Sequence, residues 1–203
     1  MTRALIAATL MSVLATAGAA AQRGRASGGE PPAEIPPHLI YLPMDVADRM
    51  LTDAGVMKTD VVYDLGCGDG RVAIMAVKKY AVRAVCVDNN AMRIAEARAN
   101  ADREGVAASI RFVEQPMVDL SEATVVTMSS PQSMTWLGLN GLLNPTLTGQ
   151  LKPGARIISN FVPGSMKEWK PDGVDHFVDR GKPRAILYLW KISGQRAAGS
   201  KCI

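Results

Sequence analysis

The sequence predicts an α/β fold, a seven-stranded and mostly parallel sheet with helices on both faces and an antiparallel strand at its C-terminal end. Three observations carry this expectation. Strand-length apolar runs alternate with stretches of helical periodicity from Asp60 to Met128. A glycine-rich bend, VVYDLGCGDGR from Val61 to Arg71, stands where the first of those runs gives way to a helix. The last two apolar runs are joined only by Asp179-Arg180-Gly181-Lys182-Pro183, too short for the crossover that parallel neighbours require.

In chain order, Leu39 to Pro43 is extended, and Met44 to Ala54 sets Val46, Met50 and Leu51 at helical spacing before the stop at Gly55. Asp60 to Leu65 is β-branched, short and closed by glycine, hence a strand. Gly70 to Tyr80 carries Val72, Ile74, Met75 and Val77 and ends on Lys78-Lys79, the charge a helix C-terminus favours. Ala81 to Val87 is the second strand, and Ala91 to Glu104, rich in Ala, Glu and Arg, is a helix closed by Gly105. Ile110 to Val113 and Thr124 to Met128 are the third and fourth strands. Pro131 to Gln150 has the leucines of a helix, but Gly138, Gly141, Pro145 and Gly149 interrupt it, so a broken helix is expected. Ala155 to Phe161 is the fifth strand, and Asp175 to Val178 with Arg184 to Ile192 form the terminal pair. No internal repeat is visible.

Outside this domain, placed at 38–193, the composition changes. Arg3, the apolar run Ala4 to Ala17 and the small residues Gly18 to Ala21 make up the three parts of a secretory signal peptide, 1–21, with cleavage expected after Ala21. Its apolar core is shorter than the roughly 20 residues that span a bilayer, so no stable membrane anchor is expected after cleavage. No twin arginine and no nearby cysteine point to Tat export or to lipid attachment. Residues 22–37, QRGRASGGEPPAEIPP, have almost nothing to bury and are expected to be a disordered linker. Residues 194–203 are expected to be a flexible basic tail. The expected location is therefore outside the cytoplasm, periplasmic or secreted.

The whole chain has 203 residues, 48% of them hydrophobic and 21% charged, which suits one globular domain. A net charge of +4 is mild, and a nucleic acid is not the expected partner. Two histidines and three scattered cysteines give no metal-ligand spacing, so no metal is expected. Cys67 in the bend, Cys86 in a strand and Cys202 in the tail do not form a disulfide framework by their spacing.

The bend places Gly66-Cys67-Gly68-Asp69-Gly70 between a strand end and a helix N-terminus, where glycine permits positive φ and close approach of another molecule to the backbone. Asp88 ends the second strand 18 residues beyond Gly70, where a carboxylate either accepts two hydrogen bonds from a ribose diol or caps the next helix. Asn89 and Asn90 are alternative caps. Dinucleotide sites use Gly-x-Gly-x-x-Gly, and here the third glycine comes one residue early. Asp64 and Asp69 flank the turn, which disfavours a pyrophosphate and suits a cationic ligand.

VVYDLGCGDGR resembles the first motif of the class I S-adenosylmethionine-dependent methyltransferases. IYLPMDVADRML, VDNNAMRIAEARANADREGV, DLSEATVVT, LKPGARIIS, WKPD and AILYLW extend the resemblance to a group of small bacterial and archaeal enzymes related to protein-lysine methyltransferases, across most of Ile40 to Ile192. It implies a Rossmann-like fold and S-adenosylmethionine as cofactor. It also implies that Asp64 faces the methionine ammonium and that the backbone of Gly66, Cys67, Gly68 and Gly70 lies along the methionine and ribose. Asp88 would hold the ribose hydroxyls, Asn89 would border the adenine, and Tyr41 and Pro43 would help close the pocket. Two loops depart from the family pattern. FVEQPMVDL lacks the usual acidic adenine contact, leaving Gln115 as its substitute, and MSSPQSMTWLGLN replaces the usual substrate motif after the fourth strand.

The implied reaction moves a methyl group to a nitrogen, such as a protein lysine, or to an oxygen nucleophile. The acceptor, protein or small molecule, is unknown from sequence, and no catalytic base is identifiable. Ser129, Ser130, Asn160 and Phe161 are candidates at the strand ends, while Trp136 and Trp169 form either a substrate wall or packing. Trp190 is a strand packing residue. The alternative is a binding protein of the same fold that has lost catalysis.

Overall fold

In the computed structural model, which describes residues 41–115, 118–129, 149–162 and 170–193, β1 (Val61–Leu65) is buried at every position. Its neighbours explain this. Parallel strands β2 (Arg83–Asp88) and β4 (Val125–Met128) pair with its two edges, so neither edge meets solvent. The sheet continues through β3 (Ile110–Glu114) beyond β2 and through β5 (Arg156–Ser159) beyond β4, all parallel. β7 (Lys182–Lys191) then adds antiparallel to β5, and β6 (Gly173–Asp179) closes the order β3-β2-β1-β4-β5-β7-β6. The seven expected strands are present, within a few residues of their expected limits.

Side-chain alternation divides the sheet into two faces. Val62, Ala84, Cys86, Val125, Ile158 and Leu187 point to the face covered by α1 (Met44–Asp53), α2 (Arg71–Tyr80) and α3 (Ala91–Arg103). Helix α1 offers Val46, Ala47, Met50 and Leu51 to that face, and α3 fits there through the small residues Ala97 and Ala101. Tyr63, Leu65, Val85, Val126, Ile157 and Trp190 point the other way, onto Leu120, Ala123 and Leu151. The broken helix expected in Pro131 to Gln150 lies almost wholly outside the described residues, as do the signal peptide, the linker and the basic tail.

The late hairpin is tighter than expected. Asp179 pairs with Lys182, leaving Arg180-Gly181 as a two-residue turn with φ of 47° and 76°, the geometry that matches strand twist. Pro183 belongs to β7, opposite Val178, where a register shift lies beside it and the missing N–H breaks no central ladder. At the base of the sheet Asp60 accepts from the Met57 N–H at 2.7 Å and from Thr124 Oγ1 at 2.7 Å, and pairs with Arg156.

Candidate functional site

The carboxyl ends of the central parallel strands meet at the glycine bend. Gly66, Gly68 and Gly70 all have positive φ, at 74°, 55° and 80°. The Gly66 and Cys67 N–H groups donate to the Val87 carbonyl at 2.8 and 3.0 Å, so the loop folds back over the end of β2. At Gly70 a Cβ would lie 2.9 Å from the Ala97 Cβ, so glycine here lets α3 press against the loop. At Gly68 a Cβ would meet nothing within 4 Å, which leaves bare backbone facing open space.

Cys67 is joined to Cys86 by a disulfide, with the two Cα atoms 5.3 Å apart. This corrects the expectation that the cysteines form no staple. Their separation of 19 residues takes in all of α2 and the first part of β2, and they meet because parallel pairing sets Asp64 opposite Cys86, three residues before Cys67. Linear spacing carries no trace of that register.

Asp64 is fully buried on β1. Thr127 Oγ1 donates to its Oδ1 at 2.7 Å, whereas Oδ2 is shielded from solvent and has no hydrogen-bond partner among the described residues. Burial pushes the carboxyl up to about 7, against the lowering effect of the Thr127 bond and with the help of the negative charges of Asp69 and Asp88. Thr127 was missed by sequence reasoning, because a threonine in a β-branched strand has no distinguishing pattern. Asp69 departs from the expectation that it would serve a cationic ligand. Both its oxygens hold the Arg71 guanidinium, at 2.6 to 3.2 Å, and its charge is matched there.

Asp88 ends β2 with one oxygen on the loop and one on the start of the next helix. Oδ2 accepts from the Gly68 N–H at 3.1 Å and Oδ1 from the Asn90 N–H at 2.9 Å. The helix cap is Asn90, whose side chain accepts from the Met92 N–H at 2.9 Å. Asp88 therefore braces the loop and keeps acceptor capacity on each oxygen. Asn89 lies between them, half-buried, and exposed Gln115 follows the end of β3, one residue beyond the Asp88 and Glu114 pair.

Tyr41 is fastened behind the loop. Its hydroxyl donates to Glu96 at 3.1 Å and accepts from Arg93 at 2.8 Å, and the Arg71 and Arg93 guanidiniums lie 4.4 and 5.1 Å from its ring centroid. Arg71 also donates to the Leu42 carbonyl at 2.6 Å, and the Pro43 carbonyl accepts from the Ala47 N–H at the start of α1. The lead-in segment is thus tied to both helices that flank the loop. A groove of about 660 Å³ opens beside it, lined by Tyr41, Arg71, Lys78, Glu96 and Asn100. Ion pairs Lys78 with Glu104 and Arg71 with Asp69 already match much of its charge.

At the ends of β4 and β5, Ser129 follows Met128, and the Phe161 N–H donates to Ser159 Oγ at 3.3 Å. Asn160 Oδ1 is shielded from solvent and has no hydrogen-bond partner among the described residues. Ser130, Trp136 and Trp169 lie outside the described residues.

Comparison with known proteins gives this geometry a family. The model of the ANTKMT methyltransferase domain matches residues 64–173. A protein-lysine N-methyltransferase of Saccharolobus islandicus strain REY15A is 41% identical over 161 residues, covering 77% of this chain and 95% of the relative. The chain belongs to the ANTKMT methyltransferase family. A solved structure of an RNA methyltransferase from Salinibacter ruber in complex with S-adenosyl-L-homocysteine is 37% identical with a TM-score of 0.64, covering 76% of this chain and 95% of that one. A precorrin-6y C5,15-methyltransferase from Geobacter metallireducens, at 17% identity and a TM-score of 0.60, shares the fold.

This family member is a methyltransferase dependent on S-adenosylmethionine, on the seven-stranded Rossmann-like sheet that its sequence predicted. The alternative of a binding protein without catalysis finds no support in these likenesses. The site's residues suit the cofactor. The shielded Asp64 oxygen lacks a donor, Gly68 leaves its backbone open, and Asp88 retains lone pairs for a diol.

Proposed function

We propose that this methyltransferase transfers a methyl group to an amine nitrogen, with a protein lysine as the acceptor, and acts outside the cytoplasm. The observation that carries the cofactor site is the loop of three positive-φ glycines bounded by Asp64 and Asp88, with an orphaned acceptor on Asp64. The lysine acceptor is supported by likeness to the Saccharolobus relative along nearly its whole length. Export is supported by the Cys67 and Cys86 disulfide, a bond that persists in oxidising compartments, together with the signal-like N-terminal segment.

The bound cofactor supplies an electrophilic methyl group on a positively charged sulfur. In the proposed assignment Asp64 sets a negative field beneath the methionine ammonium, held in orientation by Thr127. Backbone at Gly66, Cys67, Gly68 and Gly70 lies along the methionine and ribose, and Asp88 accepts from the ribose hydroxyls. Asn89 and Gln115 border the adenine, and Tyr41 and Pro43 hold the lead-in segment that closes the pocket.

An attacking amine must be deprotonated and aligned with the carbon it attacks. Asn160 stands at the end of β5 on the same face of the sheet as Asp64, two residues beyond Ile158, which pairs with Thr127. Its amide oxygen can accept an amine N–H and so turn the lone pair, while the proton leaves to water, because an amide is too weak a base to keep it.

Calorimetric titration of the mature chain with S-adenosylmethionine, S-adenosylhomocysteine and NAD tests the cofactor site. Both sulfur nucleosides should bind, NAD should not, and Asp88→Ala should weaken binding by about tenfold or more. Binding that ignores Asp88→Ala sinks the site assignment. Transfer of labelled methyl is then compared among envelope protein, the same protein with its lysines acetylated, small amines and RNA. Label should enter only unmodified protein, and entry into RNA would overturn the lysine reading.

A further inference from the structure

The disulfide lies inside the proposed cofactor site. Cys67 sits between Gly66 and Gly68, and Cys86 lies opposite Asp64 and two residues before Asp88. Three hydrogen bonds already run from the loop to the end of β2, from the N–H groups of Gly66 and Cys67 to Val87 and from that of Gly68 to Asp88. The covalent bond adds a fourth tie between the two elements that are to hold the ribose and methionine.

We propose that Cys67 and Cys86 form a redox modification site that governs cofactor binding, with the disulfide form holding the loop in its binding geometry and the dithiol form releasing it. This rests on the cofactor site proposed above. Bonded sulfurs lie about 2.05 Å apart, whereas unbonded ones need roughly 3.5 Å or more. The pair is packed among Ala73, Ile74, Ala97 and Ala101, with Cys67 5% exposed and Cys86 fully buried, so the interior has no slack to absorb the difference. β2 cannot yield, because β1 and β3 clamp both its edges. The loop yields instead, and its movement pulls Gly66 and Cys67 from Val87 and Gly68 from Asp88.

The co-reactant is a dithiol, small or protein-borne. Its thiolate attacks Cys67 Sγ, the less buried sulfur, forming a mixed disulfide and expelling Cys86 as a thiolate that takes up a proton. The second thiol of the reagent then displaces Cys67 and is itself oxidised to the disulfide. The protein gains two electrons and two protons overall, and a disulfide reagent drives the reverse. Linkage makes the effect reciprocal: a cofactor that prefers the oxidised loop makes the bond harder to reduce by the same factor.

The full chain should show one reactive thiol after mild oxidation, from Cys202, and three after reduction under denaturing conditions. Titration with S-adenosylhomocysteine is then compared for the oxidised chain and for the chain held reduced by a phosphine. The reduced chain should bind about tenfold more weakly or worse. The ligand should raise the dithiothreitol concentration for half-reduction by a matching factor, a readout independent of methyl transfer. Cys86→Ala should match the reduced chain and ignore the phosphine, whereas Cys202→Ser should respond as the natural chain does. Equal affinity of the oxidised and reduced chains, or three reactive thiols after oxidation, would overturn the proposal. Failure of both forms to bind would overturn the cofactor site itself.

Discussion

Asp64 carries the sharpest conflict between stability and function in the site. Its carboxyl is raised from the ordinary 3.8 to about 7 by burial, so the folded chain holds a proton that the unfolded chain releases. That contribution to stability is complete below about pH 4 and is lost as pH rises through 7. A cation at the unpartnered oxygen favours the ionised form, so cofactor binding near pH 7 should release a proton and strengthen with pH until it levels above about pH 8. Calorimetry in two buffers of different ionisation enthalpy measures that release. Asp64→Asn should abolish it, weaken binding by about tenfold or more, and leave the apo chain more stable than the natural one at pH 8 in urea unfolding. Unchanged proton release in the variant would place the titrating group elsewhere. The acidic residue was legible in the sequence, because it precedes the glycines. Its protonation was not, because burial and the Thr127 bond come from neighbouring strands.

At the scale of elements, the loop and the ends of β2 and α3 act as one unit. Its glycines divide by what surrounds them. Gly70→Ala sets a Cβ 2.9 Å from Ala97 at a φ of 80°, and should cost roughly 2–4 kcal/mol in chemical denaturation. Gly68→Ala meets no atom within 4 Å at a φ of 55°, so it should cost only about 1 kcal/mol while weakening cofactor binding by filling the open side of the loop. Equal destabilisation by the two would remove the distinction between a packing glycine and a binding one. The disulfide closes a loop with a separation of 19, and its reduction should lower unfolding free energy by about 3 kcal/mol, measured on the oxidised and phosphine-reduced chains. The strand-bend-helix order was readable from periodicity and glycine placement. The role of Arg71, which holds neighbouring Asp69 and also the Leu42 carbonyl and stacks on Tyr41, was not, because Leu42 and Tyr41 approach from a segment distant in sequence.

Across the whole molecule, Trp190 is one of the side chains that anchor the antiparallel pair to the parallel sheet. Fully buried, it faces Ile157 across the β5 and β7 register and shares a core with Tyr63, Leu65 and Val126. Trp190→Ala should cost about 3–5 kcal/mol by thermal or chemical unfolding. It should leave the intrinsic cofactor affinity of the folded fraction near that of the natural chain, because the glycine loop lies on β1 and β2. A loss under about 1 kcal/mol would show that the hairpin does not depend on this side chain.

The sequence by itself determined the alternation of strands and helices, the position of the glycine bend, the carboxylates before and after it, and the late hairpin. These are local: each depends on periodicity, chain reversal or residue type within a few positions, and each survives without knowledge of neighbours. The tertiary structure alone decided which carboxylate keeps an unpartnered oxygen, which is matched by arginine, and which cysteines meet. The first and last depend on parallel register between strands separated by a helix, the second on how the bend turns Asp69 back onto Arg71, and neither leaves a periodic signature along the chain.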